Sequence, residues 1–360
     1  MKANNKRIYL DLHVIQTVPP SNINRDDVGS PKTAQFGGVR RARVSSQSWK
    51  RAMRNYFNEK VIGSNIGIRT CYIIKYVADK ILELDSSLSE EKAMSMAEEM
   101  IKLVNIGIKD NKTKALFFLG NSQAEALAKA AVEGIKKNTE IEKKFKKSQP
   151  IDIALFGRMV ADNPNLNEDA SAQVAHAIST HGIQTEFDFF TAVDDLSSGA
   201  SLGAEMLGSI EFNSATLYRY ANIAVHEFLN QLGDKEAVID SIKLFIDAFA
   251  KSMPTGKINT FANQTLPQFI MINIREDRPI SLVNGFENPV KGVDGYVEKS
   301  IKKLVKEFNN ARKFVEDPIK SVYVSVAEID GLSEIGEELG SLNEMNKKIA
   351  EVLNSVLISD

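Results

Sequence analysis

Segments with the alternating pattern of β-strands are spread along nearly the whole 360-residue chain, and this spread most constrains the fold. In residues 7–18, Ile8, Leu10 and Leu12 alternate with polar or aromatic side chains, which predicts a strand with one buried face. Further strands are predicted at 39–45, 151–156, 210–225, 267–275 and 320–329. Residues 171–180 fit either a helix or a strand. A sheet assembled from such distant segments must be discontinuous in sequence.

Helical patterns are concentrated in the middle of the chain. Residues 69–147 are mostly helical in pattern, and residues 121–137 form an alanine-rich stretch that strongly favours a helix. Other helices are predicted to begin at Ser45 or Ser46 and to occupy 235–252, 297–314 and the C-terminal end. The fold class is therefore expected to be α+β, a discontinuous sheet domain with a helical insertion. The Gly- and Ser-rich residues 197–209 are typical of a flexible hairpin tip.

The composition limits the classes of function. Apolar residues make up 43% of the chain, enough for a sizeable core, and the formal net charge is −2. A nucleic-acid partner would therefore need a local concentration of basic residues. Cys71 is the only cysteine, which excludes an intrachain disulfide and a zinc site built on several thiolates. We expect a cytoplasmic protein without a membrane partner, since no secretory signal or long apolar run is seen.

One segment, residues 32–54, is basic and contains no Asp or Glu. Its cations are Lys32, Arg40, Arg41, Arg43, Lys50, Arg51 and Arg54. Such a cluster can neutralise phosphates and release counterions, and Gln47 adds a neutral hydrogen-bond donor. The alternative is a solvated basic helix face that pairs with acidic residues elsewhere. Composition alone favours neither of these two interpretations over the other.

The remaining polar motifs give little support to catalysis. His176 and His181 have the wrong spacing for a helical zinc pair, so no metal or other cofactor is expected. The pairs Asp26–Asp27 and Asp194–Asp195 would serve a two-metal nuclease only if they met in space. Turn caps or subunit contacts are the simpler interpretation of these acids. The chain contains no G-x-x-x-x-G-K-[ST] phosphate loop, and we expect it not to be an enzyme.

Several strings in the sequence carry a family resemblance. They are NRDDVGSPKTAQFGGVRRARVSSQSWKRAMR, DIALFGRM, QVAHAISTHG, DFFTAVDDL, EFNSATLYRYANI, INTFANQTLPQFIMINI and LVNGFENPV. In this order the strings resemble the CasC family, the backbone subunit of the Cascade complex of type I-E CRISPR systems. The resemblance extends over roughly residues 7–290. It is weak in the lysine-rich middle and in the last seventy residues.

The resemblance implies a structure shaped like a right hand. It implies a modified RRM-like (ferredoxin-like) palm formed by residues 1–60 and 210–360. A helical fingers domain at 61–195 and a β-hairpin thumb at 196–220 would complete the chain. The aromatic RNP signature of that motif is absent, so RNA would be held by another surface.

The resemblance also implies a function and assigns residues to it. Copies of the chain would polymerise head to tail along a CRISPR RNA, together with other Cascade subunits, and would present the guide to target DNA. Contacts to the guide backbone are implied for Lys32, Gln47, Lys50, Arg51 and Arg54. Arg41 and Arg43 are added because of their charge, and Met159 lies where the family places side chains against the bases. Arg25, Asp26 and Asp27 would contact a neighbouring subunit.

Three hypotheses follow from the sequence. The first is a non-catalytic RNA-binding backbone protein of a CRISPR surveillance complex. The second is a metal-dependent nuclease that uses Asp26, Asp27, Asp194 and Asp195. The third is a protein scaffold that binds no nucleic acid.

Overall fold

The computed structural model describes residues 7–60, 66–146, 149–191 and 207–357. The chain divides into two compact units. The first consists of Met1–Tyr56, Val174–Asn222 and Ile242–Ile358, and the second of Phe57–Gln173, Ile223–Ser241 and Ser359–Asp360.

Both strands and helices occur throughout the described residues. The strands are β1 (Tyr9–Ser21), β2 (Thr33–Phe36), β3 (Val39–Val44), β4 (Gly67–Thr70), β5 (Ile108–Lys109), β6 (Lys112–Thr113), β7 (Phe117–Gly120), β8 (Ala172–Val174), β9 (Ala177–Ser179), β10 (Glu186–Thr191), β11 (Leu207–Ala224), β12 (Phe269–Arg275), β13 (Lys320–Ser325) and β14 (Glu337–Glu338). The helices are α1 (Ser46–Lys60), α2 (Ile73–Leu84), α3 (Glu90–Leu103), α4 (Asn121–Val132), α5 (Asn138–Lys146), α6 (Ile151–Phe156), α7 (Val225–Leu232), α8 (Lys235–Lys251), α9 (Ile258–Phe261), α10 (Val297–Ala311) and α11 (Leu342–Val356). The predicted α+β class is confirmed.

A large sheet organises the first unit. Its strand order is β14-β13-β12-β1-β11-β9-β3-β2, and β8 and β10 also pair with β11. Strand β1 pairs antiparallel with β12, from Tyr9 opposite Arg275 to Ile15 opposite Phe269. Strands that are neighbours in this sheet lie up to about 260 residues apart in sequence, as the scattered alternating segments predicted.

Strand β1 is buried on both faces, which corrects the prediction of one buried face. The alternating polar residues Asp11 and His13 are as inaccessible as the apolar ones, and so is Gln16 farther along the strand. The position of β1 between β12 and β11 pairs both of its edges, so its faces must be buried by elements packed against the sheet. Ile15 belongs to an apolar cluster with Ile301 and Leu304 of α10, which covers one of the faces.

The buried polar side chains of β1 form a hydrogen-bonded cluster. The Tyr220 hydroxyl donates to Asp11 Oδ1 at 2.7 Å, and the Ile280 N–H donates to Asp11 Oδ2 at 3.0 Å. His13 Nδ1 lies 2.9 Å from the Tyr218 hydroxyl. Burial disfavours charge on both groups, so the pKa of Asp11 is raised to about 7 and that of His13 is lowered to about 3. Both side chains are therefore predominantly neutral in the folded protein at mildly acidic pH.

The second unit has a mainly helical core. Helices α2, α3 and α4 pack against one another through residues such as Ile74, Ala97 and Leu127. Two short strand pairs, β4–β7 and β5–β6, lie in the same unit. The predicted helical pattern over 69–147 is confirmed, with these short strands added.

The predicted strand at 151–156 is wrong, because these residues form helix α6. Pro150 precedes the helix, and Gly157 ends it with a φ of +79°. Asp152 to Leu155 are all buried, and Asp152 Oδ1 accepts a hydrogen bond from the Gly67 N–H at 2.8 Å. A six-residue apolar run that is buried all round lacks the periodicity that separates a strand from a helix.

Other elements of the structure agree with the predictions made from the sequence. Helix α1 begins at Ser46, one of the two predicted starts, and the Ser48 N–H donates to the Ser45 hydroxyl at 3.3 Å. The ambiguous segment 171–180 contains the two short strands β8 and β9. Of the predicted flexible tip at 197–209, residues 197–206 lie outside the described residues and 207–209 belong to β11.

Replacing His13 by Asn should uncover the pH dependence of Asp11. Between about pH 4.5 and 6, the folded pair holds one proton on Asp11, whereas the unfolded chain holds one on the histidine, so the two contributions cancel. Without His13 the folded state binds one more proton than the unfolded state. The free energy of unfolding should then fall by about 1.4 kcal/mol per unit of rising pH, measured by urea unfolding.

The Asp11→Asn variant is the mirror-image control. It should gain stability as the pH rises through the same window, because its unfolded state keeps the histidine proton. Parallel pH profiles for both variants and the native chain would contradict this assignment of charge states.

Candidate nucleic-acid interface

Helix α1 is amphipathic and contains the C-terminal half of the basic segment. Trp49, Met53 and Phe57 recur at four-residue spacing and are buried. On other sides of the helix, Gln47 and Arg51 are exposed, while Lys50 and Arg54 are half-buried. Burial lowers the pKa of Lys50 from its ordinary value. The apolar stripe therefore fixes the direction in which the polar side chains point.

The first turns of α1 are held by a buried arginine from β11. The Arg219 guanidinium lies 3.6 Å from the centre of the Trp49 ring and 4.4 Å from that of Phe249 in α8. It donates to Gln16 Oε1 of β1 and to the Phe249 carbonyl. Burial lowers the pKa of Arg219 to about 9. Arg219 thus links β1, β11, α1 and α8.

Strands β2 and β3 form the hairpin that precedes α1. They pair from Thr33 opposite Ala42 to Phe36 opposite Val39, and Gly37 and Gly38 turn the chain with positive φ angles. A Cβ atom on Gly37 would lie only 1.6 Å from the Glu287 carbonyl oxygen. Glycine at this position therefore allows both the turn and the close approach of the hairpin to residue 287.

Arg41 is a correction to the predicted RNA-binding set. Its side chain is fully buried, and it donates to the carbonyls of Phe36, Ser179 and Phe286 at 2.7–3.0 Å. Burial lowers its pKa, while the nearby Glu287 opposes this change. The guanidinium joins the hairpin to its neighbours, so a phosphate contact would require these hydrogen bonds to break.

Lys32, Arg43 and the start of α1 lie close together. The Arg43 N–H donates to the Lys32 carbonyl at 2.9 Å. The Ser46 N–H donates to Nδ1 of His176 at 2.9 Å. Partial burial and the positive charges of Arg43 and Lys32 lower the pKa of His176. His176 is exposed and joins the set, although its spacing to His181 had suggested no role.

The predicted subunit-contact loop lies beside α1. Arg25, Asp26 and Asp27 are all exposed. Asp26 Oδ1 accepts hydrogen bonds from the N–H groups of Val28 at 3.1 Å and Ser30 at 2.9 Å, which shapes the turn. Asp26 therefore caps a turn, as the simpler interpretation of these acids proposed.

Met159 lies in the second unit on a firmly held loop. Arg158, next to it, is buried between Phe117 and Phe145 and donates to the carbonyls of Leu166 and Phe118. By contrast, the Met159 side chain is 85% exposed. A large apolar side chain is thus presented to solvent from a fixed backbone.

Strand β10 shows aromatic side chains that the sequence interpretation did not select. It pairs antiparallel with β11, and all of its residues are exposed. Phe187 and Phe189 are 69% and 67% exposed. The spacing of Phe187 and Phe189 is the sequence signal for this surface, because residues two apart lie on one face of a strand. The residues between the strands, including Asp194 and Asp195, lie outside the described part of the chain.

The described residues contain neither a metal-binding cluster nor a membrane-spanning helix. No group of three or more His, Cys, Asp or Glu side chains there could hold a metal ion. No helix in the same residues is long and apolar enough to span a membrane.

Replacing Trp49 by Ala should cost about 3–5 kcal/mol of stability, because it opens a cavity and removes the ring that covers Arg219. Urea unfolding measures the change. Trp49→Phe is the matched control, since it keeps a ring, and the indole Nε1 has no hydrogen-bond partner to lose. It should cost less than half as much. Equal losses in the two variants would show that the ring over Arg219 does not stabilise the fold.

The chain is similar in sequence and fold to chains of known structure. One solved chain, described as "CRISPR RNA-guided surveillance complex, pre-nicking", is 32% identical with a TM-score of 0.86, covering 96% of this chain and 100% of that one. A second, "CRISPR RNA-guided surveillance complex", is 29% identical with a TM-score of 0.76, covering 96% and 99%. None of the curated proteins compared matches significantly. The model of the CT1975-like protein family matches residues 10–350, and the chain therefore belongs to this family of Cas proteins.

Proposed function

We propose that the chain is the CRISPR RNA-binding backbone subunit of a type I-E Cascade complex, equivalent to CasC. The observation that carries the proposal is the cationic surface around α1, fixed to the sheet through Trp49 and Arg219. The two similar structures, both described as CRISPR RNA-guided surveillance complexes, support it. The partners would be a CRISPR RNA, other Cascade subunits, and target DNA through the guide, in the cytoplasm.

The proposed grip acts on the sugar–phosphate backbone of the guide. Lys32, Arg43, Gln47, Lys50, Arg51 and Arg54 supply its donors, and His176 joins them. These side chains are cations or neutral donors, and phosphate contacts carry no sequence information. A guide-binding protein must accept any spacer and leave base edges free to pair with DNA. Arg41 is left out because its donors bind backbone carbonyls.

Exposed apolar side chains are proposed to contact the bases. Met159 and the phenylalanines Phe187 and Phe189 are all presented to solvent. Bases have an aromatic face whatever their identity, so stacking tolerates any sequence. The hairpin of β10 and β11 would act as part of the thumb, the large sheet as an RRM-like palm, and the helical unit as the fingers.

Neighbouring copies are proposed to meet head to tail. Arg25, Asp26 and Asp27 carry charges of both signs on one exposed loop, as a polar contact between copies requires. A repeated head-to-tail contact that does not close a ring yields a helical filament. Such a filament would cover the guide along its length. The subunit is proposed to be non-catalytic, and cleavage of RNA or DNA by the pure chain with Mg²⁺ would overturn this part.

Replacing Lys50 and Arg51 together by Ala should weaken guide binding to a similar extent for different spacer sequences, because both act on phosphates. The slope of log affinity against log salt should become shallower by up to about 1 per lost contact. Fluorescence anisotropy over a salt series measures both quantities. The matched control is Lys302→Ala with Lys347→Ala, which removes two exposed lysines outside the basic segment. Unchanged affinity and slope in the Lys50 and Arg51 variant would refute this grip.

Replacing Phe187 and Phe189 together by Ser should weaken RNA binding without changing the salt slope, because stacking releases no counterions. At about 1–3 kcal/mol per stacked base, the loss should be at least roughly fivefold. Phe314→Ser is the control, since Phe314 is an even more exposed phenylalanine in the first unit. A shallower slope, or an equal loss in the control, would contradict a stacking role.

A further inference from the structure

A groove of about 700 Å³ lies in the first unit beside the basic face of α1. Three segments line it: the loop from Ile23 to Gly29, the side of α1 that includes Arg51, and the loop from Met253 to Lys257. Its volume is within the range of pockets that hold small ligands or parts of larger ones. The groove lining therefore includes one residue of the proposed RNA grip together with a loop far from it in sequence.

Lys257 has a backbone conformation that lysine rarely adopts. Its φ is +53° and its ψ is +25°, in the left-handed region. For a residue with a Cβ atom this conformation costs roughly 1–2 kcal/mol. Non-glycine residues with such strain are concentrated at functional sites, where the surrounding structure holds them in place.

The surroundings explain how Lys257 is held. A Cβ atom on Gly256 would lie 2.3 Å from the Ile23 carbonyl oxygen, so the loop is pressed against the end of β1 and the chain that follows it. The Lys257 carbonyl accepts hydrogen bonds from Thr260 and Phe261 at 3.0 and 3.1 Å. Packing at Gly256 and the turn after Lys257 thus fix the lysine at the edge of the groove.

The charges of the groove favour an anion. Arg25, Arg51 and Lys257 line it, and none of these three forms an ion pair with a described residue. Asp26 and Asp27 also line it, but Asp26 Oδ1 is engaged by two N–H groups of its own turn. With three cations and two carboxylates, the side chains that line the groove carry a net positive charge, and the basic face of α1 lies next to them.

We infer that this groove holds part of the sugar–phosphate backbone of the RNA, with Lys257 and Arg51 contacting phosphate. The inference rests on the proposed function and adds to it a phosphate contact from outside the basic segment. Continuity through Arg51 with the α1 face favours RNA over an acidic segment of a neighbouring copy. The experiment below distinguishes RNA from the alternative occupant of the groove, a segment of a neighbouring copy.

The test compares Lys257→Asn, Lys257→Arg and the native chain with a labelled single-stranded RNA of spacer sequence. Asparagine tolerates the left-handed conformation, so Lys257→Asn should keep the thermal stability while removing the charge. We expect affinity to fall roughly three- to fivefold near physiological salt, and the salt slope to become shallower by about 0.7. Lys257→Arg should retain most of the affinity and the slope.

Three results would overturn the inference. If Lys257→Asn binds RNA like the native chain while the Lys50 and Arg51 variant does not, Lys257 makes no phosphate contact, and the proposed function stands without the inference. If Lys257→Asn abolishes self-association, measured by sedimentation without RNA, and leaves RNA affinity and slope unchanged, the groove binds a neighbouring copy. If the native chain binds no RNA, the proposed function and the inference fail together.

Discussion

The stacking of Arg219 between Trp49 and Phe249 is the contact on which the rest of the proposed interface depends. It joins the central strands to α1 and α8, so the basic helix is fixed to the sheet rather than to a loop. A buried cation is held here by aromatic rings and neutral acceptors, Gln16 and the Phe249 carbonyl, instead of a carboxylate. Binding surfaces work best when their side chains project from such rigid supports. The direction of each donor on α1 follows from this contact together with the buried stripe of Trp49, Met53 and Phe57.

The arginines of the chain illustrate why charge counts alone cannot locate a binding site. Arg41 and Arg51 lie ten residues apart in the same basic segment, yet one is fully buried on carbonyl oxygens and the other is exposed beside a groove. Arg158 repeats the buried arrangement in the second unit, between two phenylalanine rings. Guanidinium groups suit both tasks because their planar donors can stack on rings and satisfy several acceptors at once. Only the fold determines whether a given arginine is a buried structural residue or an exposed one available for binding.

Local pattern predicted much of the fold, and long-range packing decided the rest. The alternation in β1 and the four-residue spacing of Trp49, Met53 and Phe57 in α1 are periodic patterns that are visible in the sequence itself. Both elements could therefore be predicted. The run at 151–156 contains none, because every side of α6 is buried, and it was assigned to the wrong class. His176 could not be selected either, since its link to Ser46 joins positions 130 residues apart. The exposure of Phe187 and Phe189 depends on which strands pair, which no local pattern reveals.

The hydrogen bond from the Ser46 N–H to His176 has a consequence for the chemistry of the surface. Because Nδ1 is the acceptor, the ring proton must reside on Nε2, and the imidazole is held as a single tautomer. Adding a second proton would require the first N–H of α1 to give up its partner. The surface therefore draws its positive charge from lysine and arginine side chains, and the histidine contributes a neutral donor of fixed direction. In this sense His176 adds directionality to the surface rather than charge.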